Sequence, residues 1–313
     1  MRVVFFGTPE FAVPSLDALL GEGFDVVTAV TQPDKPQGRS RSTAVASPVK
    51  TAAQAEEVLL LQPDRPTGAP FLAQLRALAP DVGVVVAYGH ILTPELLALP
   101  RHGMINVHPS LLPELRGAAP MEWAILNGLP QTGITIMQME AGLDAGPILL
   151  QIPHDIGGDV TGGELSEHLS EMGAQALVET LALLETNQLT RRPQDHTRAT
   201  YAPKITRETR RISWNDPAER VARVIRAFDP TPGSWTELDG REVKLYRAHV
   251  VEDGGAGGAG GAPGEIRTTD EGLRIATGQG VVQVEEVQPA GKPRMSAADW
   301  MRGRGVRDGQ RFA

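Results

Sequence analysis

The chain has 313 residues, of which 41% are apolar and 22% charged, with a formal net charge of −8 and no cysteine. That length and balance suit one large or two ordinary globular domains and exclude a largely disordered chain. The absence of thiols excludes disulfides, thiolate metal ligands and a cysteine nucleophile, and it suits a cytoplasmic setting.

The first residues, MRVVFFG (1–7), form an apolar run ending in glycine, which predicts a buried parallel strand rather than a cleaved leader. Apolar spacing predicts a helix over 11–20, and FDVVTAV (24–30) a second strand. SPVKTAAQA (47–55) opens with a capping serine and a proline at the first helical position. A strand at 58–62, a helix at 70–79 and a long central strand at 81–89 follow. Then come MINVH (104–108) as a strand, 119–128 as a helix, and 132–140 and 147–156 as strands. Alternating strands and helices define an α/β fold, a Rossmann-like and mostly parallel sheet with helices on both faces.

A Gly–Gly start followed by Leu and Ala periodicity predicts one long helix over 162–187, and the polar stretch from 189 to 206 reads as a linker. After a helix at 217–228 come short, glycine-punctuated alternating runs, which predict a small β-barrel. The expected domains are therefore 1–188 and 207–313, with a low-complexity Gly/Ala loop at 254–264. Residues 1–200 hold 12 Lys and Arg against 22 Asp and Glu, whereas 292–311 hold six basic residues and two acidic ones. An acidic first part and a locally basic second part hint at a polyanionic partner for the latter. No apolar run reaches a membrane-spanning length.

Four segments can carry chemistry. The opening loop GTPEFA has one glycine and a proline where a phosphate would need close backbone approach, so it is a poor match to a dinucleotide or P-loop site. Asn106 and His108 are two apart on a strand and share a face at its carboxyl end, where open parallel sheets bind ligands. The following SLLP block has peptide groups able to hold a flat heterocycle, and a lone histidine of this kind also suits a purely structural role. Asp144 lies between two glycines in a loop expected on the same sheet edge, where a carboxylate would orient an imidazole and raise its proton affinity. The loop QPDKPQGRSRS (32–42) is basic and long enough to clamp a nucleic-acid end. No His/Asp/Glu spacing suggests a metal site.

These blocks together, from FFGTPEFAVPSL through TQPDKPQGR, VVVAYGHIL, INVHPSLLPELRGAAP and GITIMQMEAGLDAGPIL to RAFDPTPGSW, resemble the methionyl-tRNA formyltransferase family. The resemblance covers residues 3–250 well and the rest loosely. It implies transfer of a formyl group from 10-formyltetrahydrofolate to the amine of initiator methionyl-tRNA, by a cytoplasmic monomer without a metal. Asn106, His108 and Asp144 match the family's catalytic trio. Ser110, Leu111, Leu112 and Pro113 match its folate-binding segment, and Tyr88, Gly89, Ile91 and Leu92 its pterin-pocket wall. Arg39 and Arg41 match the basic loop, and Lys204 and Arg207 fall near positions that face the tRNA. The second domain is expected to be an OB-like barrel. Alternatives left open are a sugar-nucleotide or ribonucleotide amine as acceptor, hydrolysis of the formyl donor, and a non-enzymatic RNA-binding protein.

Overall fold

The computed structural model describes residues 1–37, 43–251 and 261–313. Its chain forms two compact units. The first comprises 1–117, 132–154 and 166–202, and the second 118–131, 155–165 and 203–313.

The first unit is built on a seven-stranded sheet. Its strands are β1 (Arg2–Gly7), β2 (Asp25–Val30), β3 (Leu60–Leu61), β4 (Val82–Val86), β5 (Met104–His108), β6 (Gln131–Gln138) and β7 (Ile148–Asp155). They lie in the order β7-β6-β5-β4-β1-β2-β3. Pairing is parallel from β3 across to β5 and antiparallel between β5 and β6. The unbroken apolar runs of β1 and β4 are what a strand covered on both faces requires, and Val3–Phe6 and Val84–Val86 are buried. On one face, Val4, Phe6, Val85 and Met104 pack with Phe71, Leu72 and Leu75 of the helix Ala69–Ala77. After β3 the chain crosses β1 to its other side, which creates a switch point between β1 and β4.

The predicted elements match closely, and the deviations have local causes. The helix Pro48–Ala55 starts where expected because the Ser47 side chain accepts from the Lys50 N–H at 3.1 Å. The long helix Gly162–Glu185 is started by Thr161, not by its two glycines. The Thr161 hydroxyl accepts from the Glu164 N–H at 3.2 Å and the Glu164 carboxylate accepts from the Thr161 N–H at 2.9 Å, a reciprocal capping box. The flanks of the basic loop pair as a short antiparallel ladder, Lys35–Gln37 with Thr43–Val45. Arg39 and Arg41 lie outside the described residues, as does most of the Gly/Ala run.

The second unit carries a six-stranded antiparallel sheet. Its strand order is Ser234–Leu238, Arg241–Val250, Val281–Pro289, Gly272–Ala276, Ile266–Thr269, with Met295–Ser296 also paired to Val281–Pro289. The helix Ala218–Ala227 packs on Arg241–Val250 and on the helix Pro120–Leu126, which brings that earlier segment into this unit. Buried Asp229 fixes the adjoining loop: it accepts from Arg294 Nη1 and from the Arg247 N–H, both at 2.9 Å. No helix among the described residues is long and apolar enough to cross a membrane.

Candidate active site

The carboxyl ends of β1, β2 and β4 are laced together at one atom. The Tyr88 carbonyl accepts from Thr8 Oγ1 at 3.1 Å and from Gln32 Nε2 at 2.8 Å. The Tyr88 ring is buried edge-on to Phe6 at 5.3 Å, and burial pushes its hydroxyl up to about 12. Leu92 is buried beside it in the same core, whereas Ile91 is 93% exposed. Gly89, at φ +84°, has a backbone shape that other residues rarely adopt.

Next to this seam, β5 presents Asn106 and His108. Register fixes both: Asn106 lies between Val85 of β4 and Met137 of β6, and His108 is opposite Thr135. The Asn106 side chain is half-buried and has no hydrogen-bond partner among the described residues. His108 is 4% exposed. Its Nε2 is 3.1 Å from the Leu115 carbonyl, which can only accept, so Nε2 carries the proton. Nδ1 then holds the lone pair of the neutral ring, and it faces Asp144 Oδ2 at 3.8 Å.

Burial pushes the proton affinity of His108 below the usual histidine range. Asp144 and the Leu115 carbonyl pull it up and Arg116 pushes it down, but desolvation dominates. The ring is therefore neutral at pH 7, and its contact with Asp144 becomes an ion pair only when it takes a proton. The expected closeness of the carboxylate is met; a direct hydrogen bond between the two is not, because 3.8 Å is too long.

Asp144 is held elsewhere. Its Oδ2 accepts from the Gly117 N–H at 2.8 Å, and its own backbone is left-handed at φ +47°. Gly117 has φ +122°, and a Cβ there would lie 2.6 Å from the Ala202 carbonyl, so only glycine serves. That close approach arises because Arg116–Gly117 pairs in parallel with Tyr201–Ala202.

The SLLP segment is engaged within the protein more than its sequence implies. The Ser110 hydroxyl donates to the Glu114 carbonyl at 2.6 Å, and the Leu112 N–H donates to Thr135 Oγ1 at 3.1 Å. Thr135 Oγ1 in turn donates to the Ser110 carbonyl, and Gln151 Nε2 donates to the Leu112 carbonyl at 2.9 Å. The Pro113 carbonyl accepts from the Thr200 N–H, and Leu111 is half-buried. This backbone shapes a wall; few of its polar groups remain to hold a heterocycle. Of the remaining expected residues, Lys204 is exposed. Arg207 is paired to Glu242 at 2.7 Å and lies over the Trp235 ring at 4.1 Å. Among the described residues no group of three or more His, Asp or Glu is arranged to hold a metal ion.

Sequence reasoning missed Leu115, whose carbonyl accepts from His108, Thr135, which bonds the backbone of Ser110 and Leu112, and the pair Arg116 and Gln194, of which Gln194 also donates to the Asp144 carbonyl. A half-buried amide with free donors, a neutral imidazole with its lone pair beside a carboxylate, and a strand-end location are groups able to donate to a developing oxyanion and to take a proton from a neutral nucleophile.

The chain belongs to the formyl transferase family: residues 1–181 match the formyl transferase domain and residues 204–305 the formyl transferase C-terminal domain. It is similar to the methionyl-tRNA formyltransferase of Magnetococcus marinus, 46% identical over 313 residues, which cover 99% of this chain and 98% of that one. Among solved structures, the methionyl-tRNA formyltransferase from Clostridium thermocellum superposes with a TM-score of 0.58 at 15% identity, covering 82% of this chain and 95% of that one. HypX from Aquifex aeolicus in complex with tetrahydrofolic acid gives 0.66 at 20% identity over 98% of this chain, which spans about half (48%) of that longer chain. Both structural likenesses show the fold.

Proposed function

We propose that this chain transfers the formyl group of 10-formyltetrahydrofolate to the free amine of initiator methionyl-tRNA. The observation that carries this reading is identity of 46% over the whole length to a relative named for that reaction, both domains included. Asn106, His108 and Asp144 are the residues proposed to do the chemistry. Residues 88–92 and 110–113 are proposed to line the folate site, where exposed Ile91 and Leu143 supply apolar surface for a flat ring on loops that leave the strand ends. Lys204, Arg39 and Arg41 are proposed to face tRNA phosphates. Arg207 is the weaker candidate, since Glu242 already pairs with it. The domains are proposed to divide at the 189–206 stretch, and the chain to act as a cytoplasmic monomer.

The chemistry follows from the protonation states. The amine nitrogen attacks the formyl carbon, and the carbonyl electrons move onto oxygen. The unpartnered Asn106 amide donates to that oxygen, a hydrogen bond that strengthens as charge develops. The amine proton passes to His108 Nδ1, the nitrogen that holds a lone pair in the neutral ring. His108 thus starts as a base, and Asp144 at 3.8 Å stabilises the imidazolium it becomes. The same proton is then delivered to N10 of the donor as the carbon–nitrogen bond breaks, and the oxygen returns to a carbonyl.

The test is direct. Purified protein, 10-formyltetrahydrofolate and methionine-charged initiator tRNA should yield formylmethionyl-tRNA. Donor breakdown at the same rate without acceptor would identify a hydrolase, and formylation of an amino sugar but not of the tRNA would identify a different acceptor.

A further inference from the structure

The polar stretch after the long helix reads as a tether in sequence, yet in the first unit it runs as a strap across the site loops. Arg192 and Ile148 exchange both backbone hydrogen bonds, at 2.8 and 2.9 Å. Thr200 accepts through its hydroxyl from the Leu115 N–H at 2.9 Å and through its carbonyl from the Arg116 N–H at 2.9 Å.

Between these anchors lies Gln194, 7% exposed, with all its polar capacity directed inward. Its Nε2 donates to the Asp144 carbonyl at 2.8 Å and to the Gly146 carbonyl at 2.7 Å. Its Oε1 accepts from Arg116 Nη2 at 2.6 Å and from Nε at 3.2 Å. Arg116 is itself 4% exposed, and its Nη2 also donates to His196 Nδ1 at 3.0 Å. One carboxamide therefore pins the loop at Asp144 itself and two residues beyond it, and ties it to the segment that contains the Gly117 N–H. The loop needs such a clamp: Asp144 is left-handed, and a Cβ on Gly146 would overlap the Gln138 carbonyl. Gly146 thus allows the close approach, and Gln194 holds it.

We infer that Gln194 is a positioning residue for formyl transfer, holding the Asp144 carboxylate beside His108 through the carbonyls of residues 144 and 146. This rests on the roles proposed above for Asp144 and His108. Gln194 touches no reacting atom; it acts through the loop. Its contribution is geometric, and small displacements of a reacting group reduce rate steeply.

Two full-length variants test it. Gln194→Glu keeps an acceptor for Arg116, removes the two donations to the loop and sets a carboxylate oxygen against the two carbonyls they reached. Gln194→Leu removes both functions without adding charge. Both are expected to melt cooperatively and to lose about tenfold to a hundredfold in kcat with little change in the donor KM. The charged groups facing the His108 ring are Asp144 and Arg116, with the Leu115 carbonyl on Nε2. In Gln194→Leu the carboxylate recedes, so the His108 ring followed by NMR titrates lower than in the parent, and the acid limb of kcat/KM moves down with it. Folded variants with the parent kcat and the parent titration would overturn the inference. A parent chain that does not formylate methionyl-tRNA would remove the substrate reading alone, because the ring titration needs no turnover and still decides the clamp.

Discussion

Asp144→Asn isolates the electrostatic part of the site, because the amide keeps the size of the carboxylate and removes its charge. At the observed 3.8 Å, a charged imidazole–carboxylate pair interacts by about 4 kcal/mol at an effective dielectric of about 20 and about 1 kcal/mol in bulk water. The side chains are 5% and 15% exposed, so the value lies toward the protein end. Removing the charge should lower the proton affinity of His108 further, because Asp144 is the group that pulls it up most. The sign is set by the ring being neutral in its working form: Asp144 favours the imidazolium, so without it the neutral form persists to lower pH. The acid limb of kcat/KM should then move to lower pH. The plateau should fall about a hundredfold to ten-thousandfold, because the imidazolium formed during the reaction loses its partner. The assay is formylation of methionyl-tRNA from pH 5 to 8, with thermal melts to confirm folding. An acid limb that stays in place, or moves up, would refute the assignment of His108 as the base and Asp144 as its partner.

Asn106→Ala should lose about 2.7–4 kcal/mol of transition-state stabilisation, roughly a hundredfold to a thousandfold in kcat, with an unchanged melt, since its amide makes no hydrogen bond within the described protein; a near-normal kcat would remove it from the centre. Because burial depresses His108 in the folded state, the unfolded chain takes up its proton first as pH falls. Its contribution to stability is therefore full above about pH 6.5 and declines below it, until the folded ring itself titrates. Denaturant melts at pH 7.5 and 5.5 should show a smaller difference in His108→Gln than in the parent. Asp229→Ala leaves the Arg294 and Arg247 donors without their buried acceptor and should destabilise the second unit by about 1–3 kcal/mol in chemical denaturation. The KM for methionyl-tRNA should rise steeply with added salt, as phosphate contacts require, while that for the folate donor changes less.

What the sequence discloses of this site depends on the range of the interaction. Asn106 and His108 are legible together because a strand places alternate residues on one face, and the strand itself is evident from its apolar run. Asp144 is legible as a carboxylate in a loop between glycines, at a strand end that the α/β alternation supplies. Its true anchors are not. The Gly117 N–H is 27 residues away and the Gln194 amide 50. Gln194 lies in a polar stretch whose composition resembles any linker, and only the fold reveals that it is a strap. The SLLP segment misleads for the same reason: Thr135 and Gln151 come from β6 and β7 and engage its peptide groups. The Leu115 carbonyl is seven residues from His108 and fixes the tautomer, yet a backbone acceptor leaves no mark in side-chain chemistry. In contrast, the capping box of the long helix is written plainly as Thr161-x-x-Glu164, but the adjacent pair of glycines attracts attention first. The helix Pro120–Leu126 reads correctly as a helix; its membership of the second unit follows from packing on Ala218–Ala227, about a hundred residues later, which periodicity cannot express.

The central claim is that Asn106, His108 and Asp144 act as one centre for formyl transfer. Single-turnover formylation of methionyl-tRNA by the parent, the three single alanine variants and the triple variant measures this directly. The account predicts that the triple variant is little slower than the slowest single one, as groups that act as a unit behave. Three losses that multiply independently, or single variants that keep the parent rate while folded, would contradict it.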